Sequence, residues 1–443
     1  MGPCARFKAG LLNSTYSRGM SEREFDLILF GATGFVGRLT AAHLAHHAPD
    51  HLRIAIAGRS QDRLEAARAE LPPAAANWPA VVVDASDEEA LRAMARRTRV
   101  VVSTVGPYAR YGMPLVGACA EAGTHYCDLT GEVLFVREAI DRHHETAVAS
   151  GARLVNSCGF DSVPSDLGVL VTAQRAAEDG EGTLGETTLH VRSLRGGLSG
   201  GTIDSMREQI RQMSQDAQSR RTVGDPYGLS PERNAEPAGS ATPKGAQPRK
   251  RLDGLLRKLP FRQDAQTGRW TAPFVMAGYN TRVVRRSNAL TDWSYGREFR
   301  YHEVSDTGQG AAGAVRAAVT ATALGGLAAG MWFTPTRILL DRVLPKPGTG
   351  PGQESMDNGR FVLDIETTTT TGARYRTRVA ADYDPGYSGT AIMLGQSALA
   401  LAEDEDRLPQ RAGVLTPATA LGEVLVERLR GHGFTFQVER VKN

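Results

Sequence analysis

The chain holds little that would suit an oxidising compartment or a metal centre. Its 443 residues include four cysteines, at 4, 119, 127 and 158, with no Cys-x-x-Cys pair and no ligand spacing. That excludes a disulfide framework and a zinc site, and predicts reduced thiols in a cytoplasmic protein. Of the ten histidines, His43, His46, His47 and His51 crowd the end of one predicted helix. No carboxylate or cysteine falls at a matching spacing, so they read as a polar face that complements the helix dipole, and no metal is expected. Charge of one sign is also scarce. A formal net charge of +3 does not argue for nucleic acid. The local exception is residues 225–269, a Pro-containing stretch with nine Lys/Arg against five Asp/Glu, which predicts a mobile loop. Residues 1–19 lack an apolar core of signal-peptide length. Met20 reads as the natural start, and residues 1–20 as a disordered extension.

Against these absences stands one informative stretch. Leu27 to Phe30 are uninterrupted apolar residues, as in a parallel strand covered on both faces. Gly31, Gly34 and Gly37 follow at three-residue intervals and open a helix. In a dinucleotide fold the first permits the sharp exit from the strand, the second lets the backbone approach a pyrophosphate, and the third lets the helix pack closely. The backbone of Gly31, Thr33, Gly34, Phe35, Val36 and Gly37 would thus meet the phosphates at a helix N-terminus.

The next strand ends in Gly58-Arg59-Ser60, where such folds inspect the adenosine ribose. An acidic residue there would bond a 2′-hydroxyl; a cation and a hydroxyl suit a 2′-phosphate, so NADP(H) is expected. The alternative for Arg59 is a solvated strand-end charge. Asp84, after the third strand, lies where the adenine is met. Val105, Gly106 and Pro107, after the fourth, lie over the nicotinamide.

From 21 to 165 strands and helices alternate as in a doubly wound parallel sheet. Residues 166–415 change character and predict an α+β domain on an antiparallel sheet. Its strands are expected at 187–194, 275–284, 294–304 and a hairpin over 360–370 and 374–383, with helices over 202–220, 336–343 and 388–402. Residues 416–443 close the chain with a helix and a strand. Within the second domain, Ala317 to Phe333 is charge-free for 17 residues, mainly Ala, Gly and Thr. Its few strongly apolar side chains do not favour a bilayer span. A packed helix, a wall for a long acyl chain and a helix resting on a membrane all remain open.

Gly-Ala-Thr-Gly-Phe-Val-Gly at 31–37, Ala-Gly-Arg at 57–59, Val-Gly-Pro-Tyr at 105–108, Tyr-Cys-Asp-Leu-Thr-Gly-Glu at 126–132 and Gly-Phe-Asp-Ser-Val-Pro-Ser-Asp at 159–166 together resemble the saccharopine dehydrogenase family, and within it the trans-acting enoyl reductase branch. The resemblance implies an NADP-binding Rossmann domain and a second domain lining a substrate cleft. It also implies reduction of an α,β-unsaturated acyl chain made by a polyketide synthase that lacks its own reductase. A member acting on saccharopine-like substrates would need cations for several carboxylates, and Arg282, Arg285 and Arg286 are candidates.

Enoyl reduction needs a hydride at the β-carbon, a partner for the enolate oxygen and a proton for the α-carbon. Tyr108 is the first candidate proton donor or oxyanion partner, with an aromatic wall as the alternative reading. Asp161 and Ser162 are the second. The expected partners are a free or carrier-bound acyl substrate and a polyketide synthase, with a membrane surface and a second copy as further candidates. A dinucleotide-binding sensor or scaffold without turnover is the competing class.

Overall fold

The computed structural model describes residues 23–196, 200–237, 261–263, 267–332, 336, 350 and 352–442. The expected N-terminal extension, most of the 225–269 loop and the helix expected over 336–343 lie outside them.

The first layer is β1 (Phe25–Phe30), α1 (Phe35–His47), β2 (Ile54–Gly58), α2 (Gln61–Ala69), β3 (Ala80–Val82), α3 (Glu88–Arg96), β4 (Thr98–Ser103), α4 (Tyr108–Tyr111), α5 (Met113–Ala122), β5 (His125–Asp128), α6 (Val133–Ser150) and β6 (Arg153–Val155). Every residue of β1 is buried, as a strand with helices on both faces requires. β1 pairs in parallel with β2 on one side and β4 on the other. Chain order reverses there, which opens a crevice at the strands' carboxyl ends.

The second layer follows α7 (Val163–Glu178), with β7 (Leu184–Arg195), α8 (Gly200–Gln215), α9 (Ala217–Gly224), β8 (Arg262–Gln263), β9 (Arg269–Pro273), α10 (Ala277–Leu290), β10 (Arg300–Gln309), α11 (Gly310–Trp332), β11 (Arg360–Thr369) and β12 (Arg374–Ala381). The chain ends in α12 (Ser388–Glu403), β13 (Gly413–Leu415), α13 (Pro417–Ala420), α14 (Gly422–Gly431) and β14 (Thr435–Val441). The second sheet runs β14-β12-β11-β7-β10-β9-β8. It is mixed rather than wholly antiparallel, because β7 and β10 pair in parallel.

Two strand expectations are corrected. Residues 277–290 form α10, and all of that helix but its ends and Thr281 is buried. A helix buried nearly all round shows no polar stripe, so its Val-Val pair between arginines read as strand alternation. Residues 294–299 are a turn that leads into β10. Asp292 and Trp293 take φ values of 55° and 56°, and Tyr295 and Phe299, in edge contact at 5.6 Å, plug the core rather than line a sheet. The helix expected over 202–220 is two helices, broken where the Asp216 side chain accepts from the Gln218 and Ser219 backbone N–H groups to cap α9.

The C-terminal segment does not stand as a unit beginning at 416. β13 pairs in parallel with β6 and extends the first sheet, α12 packs on α1 and β4, and β14 returns to the edge of the second sheet. His46 and His47 lie exposed in the last turn of α1, as a face that complements the dipole would, but His43 is buried. His43 and His47 gather with His432 at ring distances of 4.6–5.1 Å. His43 Nε2 meets Gln396 Nε2 at 2.8 Å, and burial pushes its pKa down to about 3. Among the described residues no group of three or more His, Cys, Asp or Glu could hold a metal ion.

Candidate active site

The site begins at the turn between β1 and α1. Gly31 has φ +96°, and a Cβ there would lie 2.6 Å from Thr104 Oγ1. A Cβ on Gly37 would lie 2.1 Å from the Gly31 carbonyl oxygen, so the helix can approach the turn only with glycine at 37. At Gly34 the only neighbour such an atom would meet is the Gly31 carbonyl oxygen at 3.4 Å, which leaves its outer side open. Gly34 is the N-cap of α1, and no side chain caps that helix. The N–H groups of Phe35, Val36 and Gly37 therefore have no partner among the described residues. A bare helix start with a glycine approach fits a pyrophosphate.

At the far end of the crevice Arg59 is exposed. The Ser60 hydroxyl accepts from Arg63 N at 3.4 Å and caps α2. Asp84 is exposed, and its Oδ1 accepts from Ser86 N at 2.9 Å and Ser86 Oγ at 2.6 Å. The Ser86 hydrogen bonds hold its carboxyl below the ordinary range, with the charge of nearby Arg59 adding to the effect. Arg59 thus stays exposed at the end of β2. Arg59→Ala should weaken NADPH binding by about 1.5–3 kcal/mol and leave NADH little changed, as titration of each cofactor would report.

Beside the turn between β1 and α1 a cleft is lined by Gly106 and Pro107 after β4, Leu129 and Gly131 after β5, and Gly159 to Asp161 after β6. Ser205, Met206 and Gln209 of α8, with Met276 and Tyr387, close it from the second layer. Val105 is half-buried at the same strand end and packs into the apolar core beneath.

Tyr108 reaches this cleft, but its hydroxyl does not serve it. The phenol donates to the Ser103 carbonyl at 3.0 Å and accepts from Leu129 N at 3.1 Å, and burial pushes its pKa well above the ordinary value. Both hydrogen-bonding capacities go to the backbone of β4 and the β5 loop, so the aromatic-wall reading fits and the proton-donor reading does not. Tyr108→Phe should destabilise the fold by about 1–3 kcal/mol, the cost of an unpartnered buried N–H, and change turnover less than tenfold. Thermal unfolding and steady-state rates would check both.

Ser162 is also corrected. It is fully buried, and its Oγ donates to Asn280 Oδ1 at 3.4 Å. It occupies the N-cap position of α7 without a side-chain cap bond. Asp161, one residue earlier, lines the cleft. Its carboxylate has no hydrogen-bond partner among the described residues, and desolvation alone raises its pKa to about 6. The side chain sits among crowded neighbours yet remains partly open to the cleft.

Two further buried carboxylates beside the cleft, Asp128 and Glu132, carry no expected role from the sequence. Glu132 Oε1 and Oε2 accept from the Tyr108 and Ala109 backbone N–H groups at 2.9 and 2.7 Å. Ser205 of α8 donates to the same carboxylate at 2.7 Å, and burial raises its pKa. Glu132 thereby ties α8 to the cofactor layer. Asp128 accepts from Ser157 N at 2.9 Å, Thr130 N at 3.1 Å, Asn156 Nδ2 at 2.8 Å and Tyr126 OH at 3.0 Å. Burial raises its pKa to about 6 against those bonds. It fixes the two loops that present Leu129, Gly131 and Asp161. The signal was the acidic residue at each end of the 128–132 stretch, each beside a strand end.

Arg282, Arg285 and Arg286 do not line the cleft. All three are buried in α10 and donate to backbone carbonyls. Arg282 reaches Asp225 and Val223, Arg285 reaches Pro226 and Tyr301, and Arg286 reaches Leu229 and Val414. Residues 225–229, the start of the stretch expected to be a mobile loop, are held down by these arginines.

The fold and site define an NADP-dependent oxidoreductase. Residues 27–155 match the saccharopine dehydrogenase NADP binding domain, and the cofactor is NADP(H). The chain is 49% identical over 425 residues to the trans-acting enoyl reductase of Mycobacterium bovis, covering 95% of this chain and 99% of that one. To the trans-acting enoyl reductase of Mycobacterium ulcerans it is 48% identical over 426 residues, with 95% and 99% covered. It belongs to the trans-acting enoyl reductase family. Apo saccharopine dehydrogenase (L-Glu forming) from Saccharomyces cerevisiae shares the fold at a TM-score of 0.51 and 14% identity, covering 94% of this chain and 100% of that one.

Proposed function

We propose that the protein reduces the carbon–carbon double bond of an α,β-unsaturated acyl thioester, acting in trans on a chain carried by a separate polyketide synthase. NADP(H), when bound, supplies the hydride for the β-carbon. The N–H groups of Phe35, Val36 and Gly37 hold its pyrophosphate, and Arg59 meets its 2′-phosphate. The Tyr108 ring and Pro107 form the wall against which the reacting groups stack.

The observation that carries the reading is Asp161, a carboxyl without a partner, facing the cleft, with a pKa of about 6. A carboxyl whose pKa burial raises toward neutrality retains a protonated fraction at neutral pH and serves as a general acid, delivering the proton to the α-carbon as the enolate collapses. The double bond becomes single, one hydride and one proton are gained, and bulk water reprotonates Asp161. The absence of Arg282, Arg285 and Arg286 from the cleft supports an acyl substrate over one with several carboxylates.

The test is NADPH oxidation with a panel of 2-enoyl pantetheine thioesters. Consumption of one NADPH per double bond lost supports the reading. Tight NADPH binding with no consumption on any thioester would leave the sensor or scaffold class.

A further inference from the structure

α11 runs for 23 residues with a single charge, Arg316. By length and composition it is the one helix among the described residues apolar enough to cross a membrane, yet only 17% of its apolar window is buried. Val315 and Val319 each stand 62% exposed. They line a groove whose opposite wall is Val191 to Leu194 of β7, with Phe274 and Ser305 to Thr307 of β10.

Several polar side chains of this groove are committed to one another, while Ser193, Arg316 and Thr320 add further polar groups to its lining. Arg192 donates to Asp364 Oδ2 at 3.1 Å and Glu366 Oε1 at 2.8 Å and is paired with Asp306. Asp306 also accepts from Arg269 Nε at 2.6 Å. Thr307 Oγ1 lies 3.0 Å from both the Trp270 and the Gly313 carbonyl, between which its one hydroxyl hydrogen is shared. What favours an apolar occupant is that Leu194, Val315 and Val319 of this lining stand exposed, while Arg192 and Asp306 satisfy their charges in ion pairs.

Phe274 lines the groove and Met276, two residues on, lines the cleft, while α8, which roofs the cleft, packs against α11.

We propose that the groove between α11 and strands β7 and β10 seats the alkyl chain of the substrate, which passes the Phe274 to Met276 turn from the cleft. The proposal rests on the enoyl-reductase reading for its reacting end, and its occupant is a long saturated chain. Each methylene that enters should raise kcat/KM about three- to fourfold until the groove is filled.

The experiment compares crotonyl, octenoyl and hexadecenoyl pantetheine thioesters on the full chain and on a Val315→Glu, Val319→Glu variant, with binding of a fluorescent hexadecanoyl probe measured beside turnover. Both valines are exposed, so unfolding is not expected, and circular dichroism would verify it. The ratio of kcat/KM for hexadecenoyl over crotonyl should be well above ten in the parent and fall at least tenfold in the variant, with probe affinity falling in step. A flat chain-length profile in the parent, or one the substitutions leave unchanged, would overturn the proposal. If no thioester of any length is reduced, the enoyl-reductase reading fails by itself, and probe binding lost in the variant still supports the groove. Binding to phospholipid vesicles without probe binding would make α11 a membrane contact and overturn the proposal.

Discussion

Asp161→Asn should lower turnover by about 10²- to 10⁴-fold, the usual worth of a positioned general acid, while leaving NADPH affinity unchanged. The pH dependence carries the more specific signature. With a pKa raised to about 6, the acid form is fully present below that value and is lost above it. Parent kcat/KM should therefore fall roughly tenfold per pH unit above about 6, and the residual activity of the variant should not follow that limb. The substitution should affect stability in the opposite sense to activity. A carboxyl whose folded-state pKa lies above its unfolded value favours the fold when protonated and opposes it once ionised. The variant should then be more stable than the parent at neutral pH by about 1–2 kcal/mol, allowing for the carboxylate's partial contact with solvent, and the advantage should vanish as pH falls toward 4. Thermal unfolding at the two pH values measures this. A variant that is both inactive and less stable at neutral pH would make Asp161 a structural anchor.

Gly37→Ala should have the largest effect on the cofactor layer. The added methyl would sit 2.1 Å from the Gly31 carbonyl oxygen, and that oxygen belongs to backbone, which cannot swing aside as a side chain could. Either α1 retreats from β1, which breaks the cradle, or the turn itself moves. A stability loss of about 3 kcal/mol and at least tenfold weaker NADPH binding are expected. Gly325→Ala is the matched control. Its position on α11 has nothing within 4 Å of an added Cβ, so the same change should stabilise by about 0.5–1 kcal/mol through helix propensity. Equal behaviour of the two variants would show that α1 tolerates displacement from the turn.

What could be read from the residues alone follows from how local each signal is. The β1 turn was legible because its strand is uniformly apolar and its glycines sit where the backbone has no room for anything else. The hairpin of β11 and β12 was legible because alternation and the turn at Gly372 agree. α10 was not, since arginines that donate to carbonyls of residues 223–229 are buried yet look solvent-facing in sequence. Asp161 and Ser162 could not be told apart by pattern. They are adjacent on one turn, and only the packing of Asn280 decides that the serine faces inward and the aspartate the cleft. Tyr108 was misjudged for a related reason, because the Leu129 N–H that occupies its hydroxyl comes from a distant part of the chain.

The pairing of β13 with β6 also bears on synthesis. The parallel sheet that holds the cofactor cannot be completed until residues 413–415 have left the ribosome, so the nascent first 165 residues leave one sheet edge bare while the rest is translated. A fragment that stops before Gly413 should expose that edge to other chains and collect in inclusion bodies, and supplying the C-terminal piece as a separate polypeptide should restore solubility.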